Sequence, residues 1–100
     1  MHNIYIDISN ISDKADLFEI FSQTFSFPSY FWKNWDAFEE ILSDLDFEKI
    51  TGDSHTGIHL ILFGYDEFKD NFPKLDRKIF ESILDNITSP ESFLFTFEMK

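Results

Sequence analysis

Apolar and polar residues alternate at the start of the chain, where Ile4, Ile6 and Ile8 are separated by Tyr5 and Asp7 and followed by Ser9. A period of two predicts a strand with one buried face. The period then changes. After Ser12-Asp13, a candidate N-cap with Asp16 in the following turn, Leu17, Phe18, Phe21 and Phe25 recur at three- and four-residue spacings. They predict a helix from Lys14 to Thr24. Pro28 stops it, because proline lacks an amide proton and steers Phe27 away from helical torsions. A second helical stripe begins at Asn34 or Trp35 and carries Phe38, Ile41, Leu42 and Leu45. Asp36, Glu39, Glu40, Ser43 and Asp44 are left for its other side.

From Phe47 to Gly57 the pattern dissolves into polar residues and reads as a surface loop. The nearly all-apolar run from Ile58 to Phe63, stopped by Gly64, predicts a central strand buried on both faces. A short helix over Asp66 to Asn71 follows. Pro73 then introduces a longer one through Leu75, Ile79, Phe80, Ile83 and Leu84, which Pro90 closes. Phe93, Phe95 and Phe97, alternating with Leu94, Thr96 and Glu98, predict the last strand. Strand, two helices, strand, two helices, strand argues for an α/β fold, a small parallel sheet packed with helices through right-handed crossovers. No linker, repeat or low-complexity tract interrupts residues 1–100, which read as a single domain.

Charge narrows what such a domain does. Nineteen acidic residues against eight basic ones give a formal net charge of −11. Affinity for nucleic acid comes from Lys and Arg clusters that displace counterions, so direct nucleic-acid binding is excluded, and anionic membranes are disfavoured on the same ground. Charge this far from zero opposes compaction, and its retention points to solubility or to steering toward a cationic partner. With 43% apolar and 19% aromatic residues there is material for one core. The chain has no cysteine, which removes thiol nucleophiles, disulfides and thiolate metal sites. Neither a secretory signal nor an apolar run of membrane-spanning length is visible, so a cytoplasmic location is expected.

Candidate chemistry is sparse. His2, His55 and His59 show no zinc-ligand spacing, and His59 reads as a satisfied residue of its strand. With only Gly52, Gly57 and Gly64, no phosphate-binding loop can be assembled. Asp36 and Glu40, four apart, could form a hydrolase-like carboxylate pair or a hard-metal site, but on a helix they stand side by side in solvent. No metal, cofactor or catalytic residue is assigned. More unusual is the run Tyr30, Phe31, Trp32 and Trp35 just before six acidic residues between Asp36 and Glu48, with no basic residue from Asn34 to Glu48. Two readings stand, core rings beside a solvated acidic face, or rigid anchors beside a directional field on a protein-binding surface.

The segment from Phe27 to Glu40, Phe-Pro-Ser-Tyr-Phe-Trp-Lys-Asn-Trp-Asp-Ala-Phe-Glu-Glu, resembles the barstar family of intracellular inhibitors of barnase-type ribonucleases. The family pattern there is Leu-Pro-x-Tyr-Tyr-Gly-x-Asn-x-Asp-Ala-Leu-x-Asp. Ile11-Ser12-Asp13 with Leu17, the Ile58 to Phe63 run with Asp66 to Phe68, and the alternating C-terminal strand extend the likeness in order along the chain.

The resemblance implies a three-stranded parallel sheet with helices, and a one-to-one complex that plugs the active site of a basic extracellular or toxin ribonuclease. Its contact positions fall on Tyr30, Phe31, Asn34, Asp36, Glu39 and Glu40, with Asp85 in the last long helix as a weaker candidate. Glu40 takes the place of the family's central aspartate and would imitate the phosphate of RNA among the enzyme's cationic groups. Asp36 would pair with a further cation, and Tyr30 and Phe31 would offer apolar faces at the rim. The chain departs from the pattern at Trp32, where the family has glycine, at Glu39, where it has an aromatic ring, and at Glu40, one methylene longer than aspartate. An immunity protein acting without a cofactor is the expected function. A barstar-fold module whose partner is not a nuclease is the alternative.

Overall fold

The two periodicities resolve into strands and helices that share one apolar interior. The computed structural model describes residues 2–28, 33–45, 49–50, 52, 56–88 and 95–100. In chain order the elements are β1 (His2–Asp7), α1 (Lys14–Phe25), α2 (Trp35–Ser43), β2 (Ile58–Phe63), α3 (Tyr65–Asn71), α4 (Lys74–Ile87) and β3 (Phe95–Met99). The sheet order is β1-β2-β3 and both pairings are parallel, with Ile4 beside Leu60 and Leu60 beside Phe97. Each crossover contains two of the described helices, as a parallel connection requires a long excursion. The fold is therefore α/β, with the three-stranded parallel sheet that the sequence predicts.

Helix boundaries follow local chemistry. Asp13 is the N-cap of α1, its carboxylate accepting from the Asp16 amide at 2.9 Å. The helix ends one residue later than expected because Ser26, not Pro28, terminates it. Ser26 adopts the left-handed region at φ 54°, and both Ser26 and Phe27 amides turn back to the Ser22 carbonyl. Leu17, Phe18, Phe21 and Phe25 are the buried stripe, as the spacing predicts.

Ile6 from β1, Ile58, Leu60 and Leu62 from β2 and Phe95 from β3 are buried in one cluster with the apolar faces of all four described helices. Fully buried Phe18, Phe21, Phe38, Phe68 and Phe80 fill it. Phe21 meets Phe38 at 5.1 Å and Phe80 at 5.7 Å between ring centres, both edge to face. That geometry sets the electropositive edge of one ring against the face of the next. Much of the chain's phenylalanine content goes here.

The opposite face of the sheet corrects the sequence reading of β2. His59 is half-buried and Phe63 is 40% exposed, while Tyr5, beside Ile61 on β1, is 62% exposed. The described helices gather on one side and cover β2 fully there. On the other face Ile61 is buried at 6% exposure between half-buried His59 and exposed Phe63, so that face is covered only in part. A continuous apolar run cannot by itself distinguish burial on two faces from burial on one. A second correction concerns the stretch from Phe47 to Gly57, where Lys49 and Ile50 have helical backbone and Ile50 packs on the core. A lone isoleucine among polar neighbours produces no period to read. Apart from Gly52, Thr56 and Gly57, the remainder of that stretch lies outside the described residues, as do Pro90, Phe93 and Leu94.

Candidate functional site

The acidic segment predicted on a helix is α2, and its start is fixed by Asn34. This residue has extended backbone, and its side-chain oxygen accepts from the Ala37 amide at 2.8 Å, an N-cap that satisfies one of the helix's orphan donors. Asp36 follows in the first turn, where a negative charge complements the helix dipole. Phe38 and Leu42 point into the core and set the rotation of the helix. Asp36, Glu40, Ser43 and Asp44 consequently face solvent, with Glu39 and Ile41 half-buried at the margins.

Trp35 joins this helix to α4. Its ring lies edge-on to Phe18 at 4.9 Å and to Phe38 at 5.6 Å. The indole N–H donates to the Asp76 carboxylate at 3.2 Å. Asp76 belongs to the first turn of α4. A half-buried tryptophan thus uses its apolar body for packing and its polar edge as a tie between two helices.

Between the two helices lies an open cavity of about 300 Å³. Trp35, Asp36 and Glu39 form one wall, while Leu75, Lys78 and Ile79 contribute to the other. Among the described residues, Asp36, Glu39 and Glu40 make no ion pair within 4 Å. The nearest cation in sequence, Lys33, reaches the carboxylate of Glu19 on α1 at 3.8 Å instead. Among the described residues the acidic face of α2 is therefore left without a direct ion-pair partner. Unpaired charges on a surface keep their full hydration and their field, and both are available to a partner of opposite sign.

The predicted positions divide into three groups. Asp36 and Glu39 come together at the groove, with Glu40 on the same helix, and Asn34 holds the helix start in place. Asp85 is exposed on α4 but does not line the groove. Tyr30 and Phe31, with Trp32, lie outside the described residues. Leu75, Lys78 and Ile79 were not singled out by sequence as site residues. At roughly 100° per residue the apolar positions of α4 spread over an arc of about 180°, too wide for one buried stripe, and Leu75 sits at its margin. That width was the available signal.

Asp36 and Glu40 do not share a cleft, since only Asp36 lines the groove, and both are exposed. His59 is satisfied in its strand, with Nδ1 at 2.7 Å from the Thr96 hydroxyl and Nε2 at 3.9 Å from Glu98. Among the described residues no group of three or more His, Asp or Glu side chains is arranged to hold a metal ion. None of the described helices is long and apolar enough to cross a membrane. Compared with known protein families, residues 1–98 match the family described as Barstar (barnase inhibitor). No curated protein matches the chain.

Proposed function

Because the chain belongs to the barstar family, we propose that it is a stoichiometric inhibitor of a basic ribonuclease, an immunity protein that occludes the enzyme's active site with α2. The observation that supports this most is the set of carboxylates on Asp36, Glu39 and Glu40, which make no ion pair within 4 Å among the described residues. A ribonuclease cleaving an anionic backbone holds its substrate with cationic groups. A carboxylate delivered to them by a rigid helix forms charge-assisted hydrogen bonds in the phosphate's place. In this reading Glu40 mimics the phosphate and Asp36 pairs with a second cation. Asn34 keeps the helix start in register, and Tyr30 and Phe31 contribute apolar rim contacts. No turnover and no cofactor are involved.

The test is to capture partners of the chain from its own cells, assay them for RNA cleavage, and titrate the chain against any nuclease found and against barnase. Inhibition that is complete at one equivalent supports the proposal. A captured partner that leaves RNA intact, with barnase unaffected by excess chain, refutes it in favour of a barstar-fold module with another kind of partner.

A further inference from the structure

The groove beside the acidic face has a chemistry of its own. On α4, Leu75 is 74% exposed and Ile79 37% exposed, and with Trp35 they line the same cavity, together with buried Ile83. Scattered surface leucines are ordinary, but several large apolar side chains converging on one depression form a patch that water solvates poorly. The walls are charged asymmetrically. Asp36 and Glu39 stand on the α2 side, and Lys78 on the α4 side has no ion-pair partner among the described residues.

We propose that this groove is a docking subsite for one apolar side chain of the protein partner, inserted next to a cationic residue of that partner which pairs with Asp36 and Glu39. The inference rests on reading α2 as the protein-binding face and adds a requirement to it: the partner presents an apolar residue adjacent to a cation, not a cation alone. Three observations select this occupant. At about 300 Å³ the cavity lies at the bottom of the range of roughly 300–1,000 Å³ typical of small-molecule pockets, and it is open, which suits a side chain better than a whole ligand. The polarity of the walls orients a cation toward α2 and away from Lys78. A second copy of the chain is disfavoured, because two molecules of charge −11 repel. The tie from Trp35 to Asp76 holds one wall in place before binding, so little ordering accompanies insertion.

The subsite can be probed without any nuclease. The methyl-labelled chain is titrated by NMR with three capped dipeptide amides, acetyl-Phe-Arg, acetyl-Ala-Arg and acetyl-Phe-Glu. The Phe-Arg peptide is expected to shift the methyls of Leu75 and Ile79 and the indole N–H of Trp35. It should bind roughly tenfold more tightly than the Ala-Arg peptide, as burial of an aromatic side chain implies. Leu75→Ser and Ile79→Ser, each with an otherwise unchanged amide spectrum, should erase that difference. Equal titration by all three peptides, shifts confined to other surfaces, or methyl shifts that follow protein concentration alone overturn the subsite. If these peptides fail while a ribonuclease is still inhibited, the subsite falls alone. If they bind as expected while no ribonuclease is inhibited, the nuclease reading falls and the subsite stands.

Discussion

The indole N–H of Trp35 and the carboxylate of Asp76, 41 positions apart in sequence, meet at 3.2 Å and tie α2 to α4. A part-buried hydrogen bond to a charged acceptor contributes about 1–3 kcal/mol. Trp35→Phe keeps the ring packing on Phe18 and Phe38 but loses the donor, and Asp76→Ala loses the acceptor. Each is expected to lower stability in urea denaturation by about 1 kcal/mol or more, and the double variant by less than the sum. Strict additivity in the double-mutant cycle would show that the bond contributes nothing.

Gly64 occupies a position that no other residue fills without strain. Its φ is +84°, and a Cβ there would meet the Ser9 Cβ at 2.5 Å and the Ser9 backbone nitrogen at 2.9 Å. Ser9 cannot retreat easily, because its amide and hydroxyl both donate to Asp7 Oδ1, at 2.9 and 2.6 Å. Gly64→Ala therefore combines a left-handed backbone penalty with overpacking, together about 3 kcal/mol. A thermal melt unchanged from wild type would contradict the close approach of the two loops.

Ser26 presents the reverse case. It terminates α1 in the left-handed region at φ 54° although it carries a Cβ. Ser26→Gly relieves a penalty of about 1 kcal/mol while costing some unfolded-state entropy, so a small net gain in stability is expected. A loss of stability in the same denaturation assay would mean that the Ser26 side chain makes an interaction worth more than the strain.

Period carried most of the fold. The spacing of Phe38 and Leu42 declares the buried side of α2 and, by subtraction, the exposed side of Asp36 and Glu40. Ile50 and the open face bearing Tyr5 and Phe63 were not legible, because burial there depends on which elements happen to cover them and not on local spacing. The groove was half legible. Asp36 and Glu39 are signalled by a charge run, but the role of Leu75 and Ile79 emerges only when α4 is placed beside α2.

Tyr65 makes stability depend on alkaline pH. Its hydroxyl donates to the Glu81 carboxylate at 2.5 Å, and this bond, with partial burial and the nearby negative charge, raises the phenol above its ordinary value of 10.0. The unfolded chain ionises first. The contribution is thus fully present below about pH 10 and is lost as pH rises through the folded-state value. Tyr65→Phe should be less stable than wild type at neutral pH, and the gap should narrow above pH 10. A gap of constant size across that range would remove the phenol to carboxylate bond as its source.

The sign and location of the charge make the sharpest test of the interface. Among the acids of the chain, those of α2 should matter to a cationic partner and those elsewhere should not. Asp36→Asn and Glu40→Gln keep shape while removing charge, and each should weaken a captured ribonuclease complex roughly 10- to 100-fold if it forms a charge-assisted bond. Asp70→Asn, exposed on α3, is the control and should change affinity little. Raising ionic strength should slow association of the wild type, since the Debye length falls from about 10 Å at 0.1 M salt to about 3 Å at 1 M. The salt slope should be shallower for the two α2 variants than for the control. Stopped-flow association rates that fall equally for all three variants would mean that only total charge steers the encounter, and α2 would lose its role as the directing face.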